Sequence, residues 1–194
     1  MARNTLSRSL HDLGLSAWFG GTLANAVALN AAAAEAGKDT GRVANEGWNR
    51  WTPVNALAIG AHLAGSVGQL AGNRGRVQQQ KGVASMSTLK TLLTAAALGV
   101  TAYSRALGQK VDAAGNPSAK SGTKPTKLTK AEAAQAMAQL DQLQWVVPAL
   151  TGALVVVSSY AGEQQRASEV SKGIVEKNFV TDSSGTTTTG VTVG

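Results

Sequence analysis

Four stretches of this chain contain no Asp, Glu, Lys or Arg, and charged, polar segments separate them. Leu13–Ala34 and Trp51–Asn73 run 22 and 23 residues, Thr91–Ser104 runs 14, and Gln142–Gly162 runs 21. A helix rises 1.5 Å per residue, so about 20 apolar residues cross the ~30 Å hydrocarbon layer of a bilayer. The expected fold is therefore all-α, a four-helix transmembrane bundle with spans at about 13–34, 52–72, 86–106 and 143–161. A soluble, Ala-rich helical bundle is the competing reading.

The four segments are unequal. The fourth contains Trp145-Val-Val-Pro-Ala-Leu-Thr-Gly-Ala-Leu-Val-Val-Val and favours lipid most clearly. The third depends on Lys90 and Arg105 snorkelling to the headgroups at its two ends. The second carries Asn55, His62 and Gln69 and needs its neighbours to stay inserted. The first, read instead as a signal peptide cleaved near Ala31–Ala34, would leave three spans. On length the chain is one domain, with 1–180 a single membrane domain and 181–194 a disordered tail rich in Thr, Ser and Gly.

With no cysteine, disulfides, thiolate metal sites and cysteine catalysis are excluded. The net charge of +7 is scattered over every connection without interleaved stacking aromatics, so nucleic acid is not an expected partner. The expected partner is the lipid bilayer, whose anionic headgroups such charges suit. Trp48, Trp51, Tyr103, Trp145 and Tyr160 lie near span ends and read as an interfacial aromatic belt. Thr52-Pro53 reads as the start of the second helix. The connection 108–129 has the composition of a flexible linker, so the loop between helices 3 and 4 is expected to be partly disordered. Thr129 and Glu132 have capping-box spacing, and Ala131–Gln144 is amphipathic and expected to run into the fourth span, kinked near Pro148. A polar helical stretch is expected over Glu163–Lys177.

Counting Lys and Arg on the two sides gives a tie. The short, acid-free connection Arg74–Lys81 tips the expectation towards a multi-pass plasma-membrane protein with both termini in the cytoplasm.

Within the spans, Gly60, Ala64, Gly68 and Gly72 repeat every four residues, a small-residue ridge along which another backbone can approach. Asn25, Asn30, His62 and Gln69 are the intramembrane polar groups. His62, mid-span, is expected to face the interior as a neutral imidazole bonded to Asn25, Asn30 or a backbone carbonyl, or to serve in a proton relay. His11 and His62 are the weak candidates for a bis-histidine haem, although the sequence places His11 at the membrane edge and His62 at mid-depth. Two histidines without an inward carboxylate or cysteine make a poor metal site, so no metal and no cofactor are expected. No spacing of nucleophile, base and acid suggests a catalytic site.

The run His11-Asp-Leu-Gly-Leu-Ser-Ala-Trp18-Phe-Gly20-Gly21 resembles the opening helix of copper-resistance-D-like and related small four-helix bacterial membrane proteins. Trp51-Thr-Pro-Val-Asn55, Gly60-Ala-His62-Leu and Ala102-Tyr-Ser-Arg105 resemble uncharacterised actinobacterial membrane proteins of similar length. The resemblance implies a four-helix architecture. A copper role does not carry over, because Met86 and Met137 lie outside the central span positions. The resulting expectation is a non-enzymatic membrane protein, either a self-associating homo-oligomer or a packing or accessory subunit of a larger membrane complex. A small proton-linked or solute carrier using His62 with the intramembrane Asn and Gln residues is one alternative, and a haem-binding redox protein the other.

Overall fold

The computed structural model describes residues 4–75 and 82–163, together with Val175. The expected tail 181–194 and, apart from Glu163 and Val175, the expected polar helix 163–177 lie outside the described residues. The described chain is all-α, built on four long helices.

Helix α1 (Thr5–Ala24) passes through a π turn (Asn25–Leu29) into a short helix α2 (Asn30–Ala34). His11, Gly14, Leu15, Trp18 and Thr22 are its buried residues, a stripe at steps of three and four that marks one helical face. The π turn adds a residue to one turn, and the buried stripe resumes at Ala26, Asn30 and Ala33. The chain reverses at Gly37, whose φ of +58° suits glycine. A 3-10 turn (Gly37–Asp39) then leads into α3 (Thr40–Gly72).

The expected start of the second helix at Thr52-Pro53 is corrected. Helix α3 begins at Thr40 and continues through Pro53. Proline removes one backbone donor and crowds the preceding turn. Here Thr52 Oγ1 donates to Trp48 O at 2.9 Å, and the turns before the proline are clamped by packing: Leu29 lies over Gly47 and the Trp51 ring over Gly21.

Helices α1 and α3 form an antiparallel hairpin whose backbones touch. A Cβ on Gly14 would overlap Ala58 O and the backbone of His62, and one on Gly65 would overlap Ser7 O and the backbone of His11. Helices α4 (Val83–Ala113) and α5 (Ala131–Glu163) form a second antiparallel hairpin, closed near its loop by Leu107, Val111, Ala136 and Met137. Helix α5 runs unbroken through Pro148, with Thr151 Oγ1 donating to Val147 O at 2.8 Å. The two hairpins join at an apolar knot to which each long helix contributes one buried residue: Trp18, Ala58, Ala97 and Val147. Around the bundle the order is α3, α1, α5, α4. The backbones of α3 and α4 stand apart and side chains bridge them, so this seam is the open one.

The connection expected to be a flexible linker is structured. Helix α4 extends to Ala113, and Ala119–Ser121 (β1) pairs antiparallel with Lys124–Pro125 (β2). Gly122 N–H donates to Asn30 O at 3.2 Å, Thr123 Oγ1 to Asp141 Oδ1 at 2.7 Å, and Arg42 N–H to Asn116 Oδ1 at 3.0 Å. Short polar residues that look like linker in isolation here satisfy exposed backbone groups at the first hairpin's turn. Thr129 is used in the same way. Its hydroxyl donates to Ser118 O and accepts from Thr126 N–H, so the expected capping box does not form.

Among the described residues, two helices are long and apolar enough to cross a membrane: α4 and α5. Helix α3 is free of charge over its second half, yet its Ala, Gly, Asn, His and Gln content leaves it less apolar than either. The most apolar windows of α4 and α5 are only 11% and 22% buried, the reverse of a helix at the centre of a soluble protein.

Candidate functional site

Fully buried polar side chains occupy the interior. His11 Nδ1 lies 2.7 Å from Asp12 Oδ1, so this nitrogen carries the proton and donates to the carboxylate. In the neutral ring Nε2 is then a bare acceptor, buried and without a hydrogen-bond partner among the described residues. The His62 ring is tilted against it, centroid to centroid 4.6 Å, and the Trp18 ring lies 6.0 Å from His62. His62 Nδ1 is 3.5 Å from His11 O, and Nε2 is 3.4 Å from Thr94 Oγ1 on α4. Both are long contacts, so His62 is packed more than it is hydrogen-bonded. Lys90 of α4 stands within electrostatic reach of both rings.

This arrangement corrects the expected separation in depth. The close approach at Gly14 and Gly65 slides α1 along α3 until His11 and His62 are neighbours. It also argues against a haem between them, because rings 4.6 Å apart leave no space for a macrocycle. Of the expected partners, a backbone carbonyl, that of His11, comes nearest to His62, and neither Asn25 nor Asn30 is bonded to it. Asn25 is half-buried with Nδ2 unpartnered among the described residues. Asn30 sits at the opposite end, where its side chain donates to Gln144 Oε1 at 2.7 Å and accepts from Trp48 Nε1 at 3.0 Å. It ties the α1–α3 hairpin, the β turn and α5 together.

The small-residue ridge divides. Gly68 packs on Ser7 and Gly72 on Asn4, whereas Gly60 meets open space and Ala64 is exposed. The contact with another helix's backbone falls instead on Gly65. The aromatic belt divides as well. Tyr103, Trp145 and Tyr160 face outward, but Trp48 and Trp51 turn into the bundle, Trp48 towards Asn30 and Trp51 over Gly21.

The open α3–α4 seam contains two cavities, one on each side of the apolar knot. The terminal-side cavity, about 410 Å³, is lined by Gln69, Lys90 and Thr94 among apolar residues. The loop-side cavity, about 280 Å³, is lined by Trp51, Asn55, Thr101, Ser104 and Arg105 over an apolar floor from α5. Its helical register was legible in part: Asn45, Trp48, Asn49, Thr52 and Asn55 recur on one face of α3, opposite Thr101, Arg105, Gly108 and Asp112 on α4. Sequence reasoning took Arg105 as a boundary charge and passed over Thr101 and Ser104.

Among the described residues no three His, Cys, Asp or Glu side chains are grouped to hold a metal ion. The chain matches no protein-family model, and no curated protein and no solved structure is similar to it.

Proposed function

We propose that this chain is an integral membrane protein, a four-span bundle that acts without catalysis as a packing or accessory subunit of a membrane complex. One observation carries the reading: the bundle's outer surface is apolar on every long helix, while polar side chains are buried beside its apolar core. His11, His62, Asn30, Thr22 and Thr151 are buried, while every long helix presents large apolar side chains outward. Leu13 on α1, Leu57 and Val67 on α3, Leu92 on α4 and Val156 on α5 are each more than 60% exposed. Water would disfavour such a surface and lipid would accept it. Helices α1 and α3 are the less apolar pair. Their insertion is supported by the α4–α5 hairpin beside them and by the burial of their polar groups. The plasma membrane and cytoplasmic termini remain part of this reading.

A role as a subunit is supported by the outer face of α3, where Gly60 and Ala64 leave a shallow groove between Leu57 and Val67. The test is fractionation and co-purification in mild detergent of the natural chain and of Gly60→Leu. Recovery in the membrane fraction with a partner or a second copy, lost in Gly60→Leu at unchanged helix content, is the expected result. A monomer recovered without detergent overturns the proposal.

A second reading, a small carrier, is favoured by the two seam cavities on opposite sides of the knot. It predicts that Ala97→Leu, which thickens the knot, abolishes solute uptake into vesicles while leaving membrane level unchanged.

A further inference from the structure

Among the described residues, His11 and His62 are the only titratable side chains that are fully buried, and they lie ring to ring. The charges around them come from few places. On α1 itself, Asp12 accepts from His11 Nδ1, and Arg8 stands within electrostatic reach of Lys90. Helix α3 contributes His62 and is free of charge over Trp51–Asn73, as α5 is over Gln142–Gly162. Helix α4 contributes Lys90, which lines the terminal-side cavity and forms no ion pair among the described residues.

This arrangement decides where one added proton goes. Nδ1 of His11 already carries hydrogen, so a proton from solvent can enter that ring only at Nε2, the buried acceptor without a partner among the described residues. Asp12 then offsets the imidazolium, whereas His62 has only a backbone carbonyl and a hydroxyl beside its nitrogens. Two cationic rings 4.6 Å apart in an apolar interior repel each other too strongly to coexist. The pair therefore takes one proton, and His11 holds it.

The new charge would sit on one hairpin and Lys90 on the other, within electrostatic reach of each other. Helices α1 and α3 are locked backbone to backbone at Gly14 and Gly65, so they do not part. The loop end of the α3–α4 seam is fastened by Arg105, Asn49 and Asp112. On the terminal side of the knot, the hydrogen-bond contact between α3 and α4 among the described residues is His62 Nε2 to Thr94 Oγ1, long at 3.4 Å. Repulsion between the hairpins thus meets least resistance there. We propose that a proton on His11 opens the terminal end of this seam: the imidazolium repels Lys90, the His62–Thr94 contact parts, and the terminal-side cavity widens. The device goes beyond the membrane reading and operates in detergent as in a bilayer.

The chain has no cysteine, so spin labels can be placed in pairs. Val67→Cys/Thr91→Cys spans the terminal-side cavity from α3 to α4, and Thr91→Cys/Ser159→Cys reports on the α4–α5 hairpin. Double electron–electron resonance gives both interspin distances in the full-length protein in non-ionic detergent, at about pH 7.5 and at about pH 4.5, on either side of the ordinary histidine range. In acid the first distance should lengthen by several ångström, return on neutralisation, and leave the second unchanged. His11→Gln should abolish the lengthening. Should His11→Gln lose helix content, Lys90→Gln at the cavity wall replaces it, with a severalfold smaller lengthening expected. A first distance indifferent to pH, equal lengthening of both pairs, lengthening that persists in folded His11→Gln, or lengthening undiminished in Lys90→Gln overturns the proposal.

Discussion

Single residues decide how this bundle closes. Gly65 and Gly60 share a helix and have opposite surroundings: backbone atoms of Ser7 and His11 crowd one, and nothing lies within 4 Å of the other. Gly65→Ala should therefore cost about 1–3 kcal/mol through overpacking against an unyielding backbone. Gly60→Ala should stabilise by up to ~1 kcal/mol through helix propensity alone. Thermal unfolding followed by circular dichroism in detergent reads both, and equal shifts would refute the α1–α3 packing. Asn30→Ala strips partners from Trp48 Nε1 and Gln144 and should destabilise by about 1–3 kcal/mol in the same assay. The sequence revealed that His62 is interior, because a polar group amid charge-free residues has nowhere cheaper to go. It did not reveal His11 as its neighbour. That pairing depends on which of 22 glycines face one another, and glycine spacing alone does not say.

At the scale of elements, charge-free runs located the helices but not their ends. Thr40–Arg50 carries Arg42, Glu46 and Arg50 and was legible only as a connection, yet it is the first part of α3. Charges end a span and do not end a helix. Trp48 and Trp51 were misplaced for the same reason, since a belt is inferred from distance to a boundary and the helix has none there. The connection after α4 hid its structure because turn-forming residues look alike whether solvated or docked. Its anchor is Asn116, which accepts from Arg42 N–H and donates to Lys38 O at 3.1 Å. Asn116→Ala should raise the rate of tryptic cleavage at Lys120 and Lys127 severalfold while leaving the unfolding temperature nearly unchanged. A rate equal to that of the natural chain would show that the docking is incidental.

For the molecule as a whole, the decisive question is whether the outward apolar surface meets lipid. The absence of native cysteine makes this directly measurable, since each introduced thiol reports alone. In reconstituted vesicles, Leu57→Cys, Val67→Cys and Leu92→Cys should resist a membrane-impermeant maleimide until detergent is added, and Ala113→Cys at the loop end should react at once. Rapid labelling at Leu57 and Val67 with protection at Leu92 would reduce the protein to two spans, with the α1–α3 hairpin lying outside the bilayer.

The seam has a mechanical meaning as well. With α1 against α5 as the spine, α3 and α4 are the two covers of a book, joined to each other at the knot and by the side-chain clasp of Arg105, Asn49 and Asp112. A small rotation about that spine would open or pinch both chambers together, and opening would require release of the Arg105–Asn49–Asp112 clasp. Whatever enters the loop-side chamber, or binds outside α3, therefore acts on a long lever and can be felt at His62 and Thr94 beyond the knot.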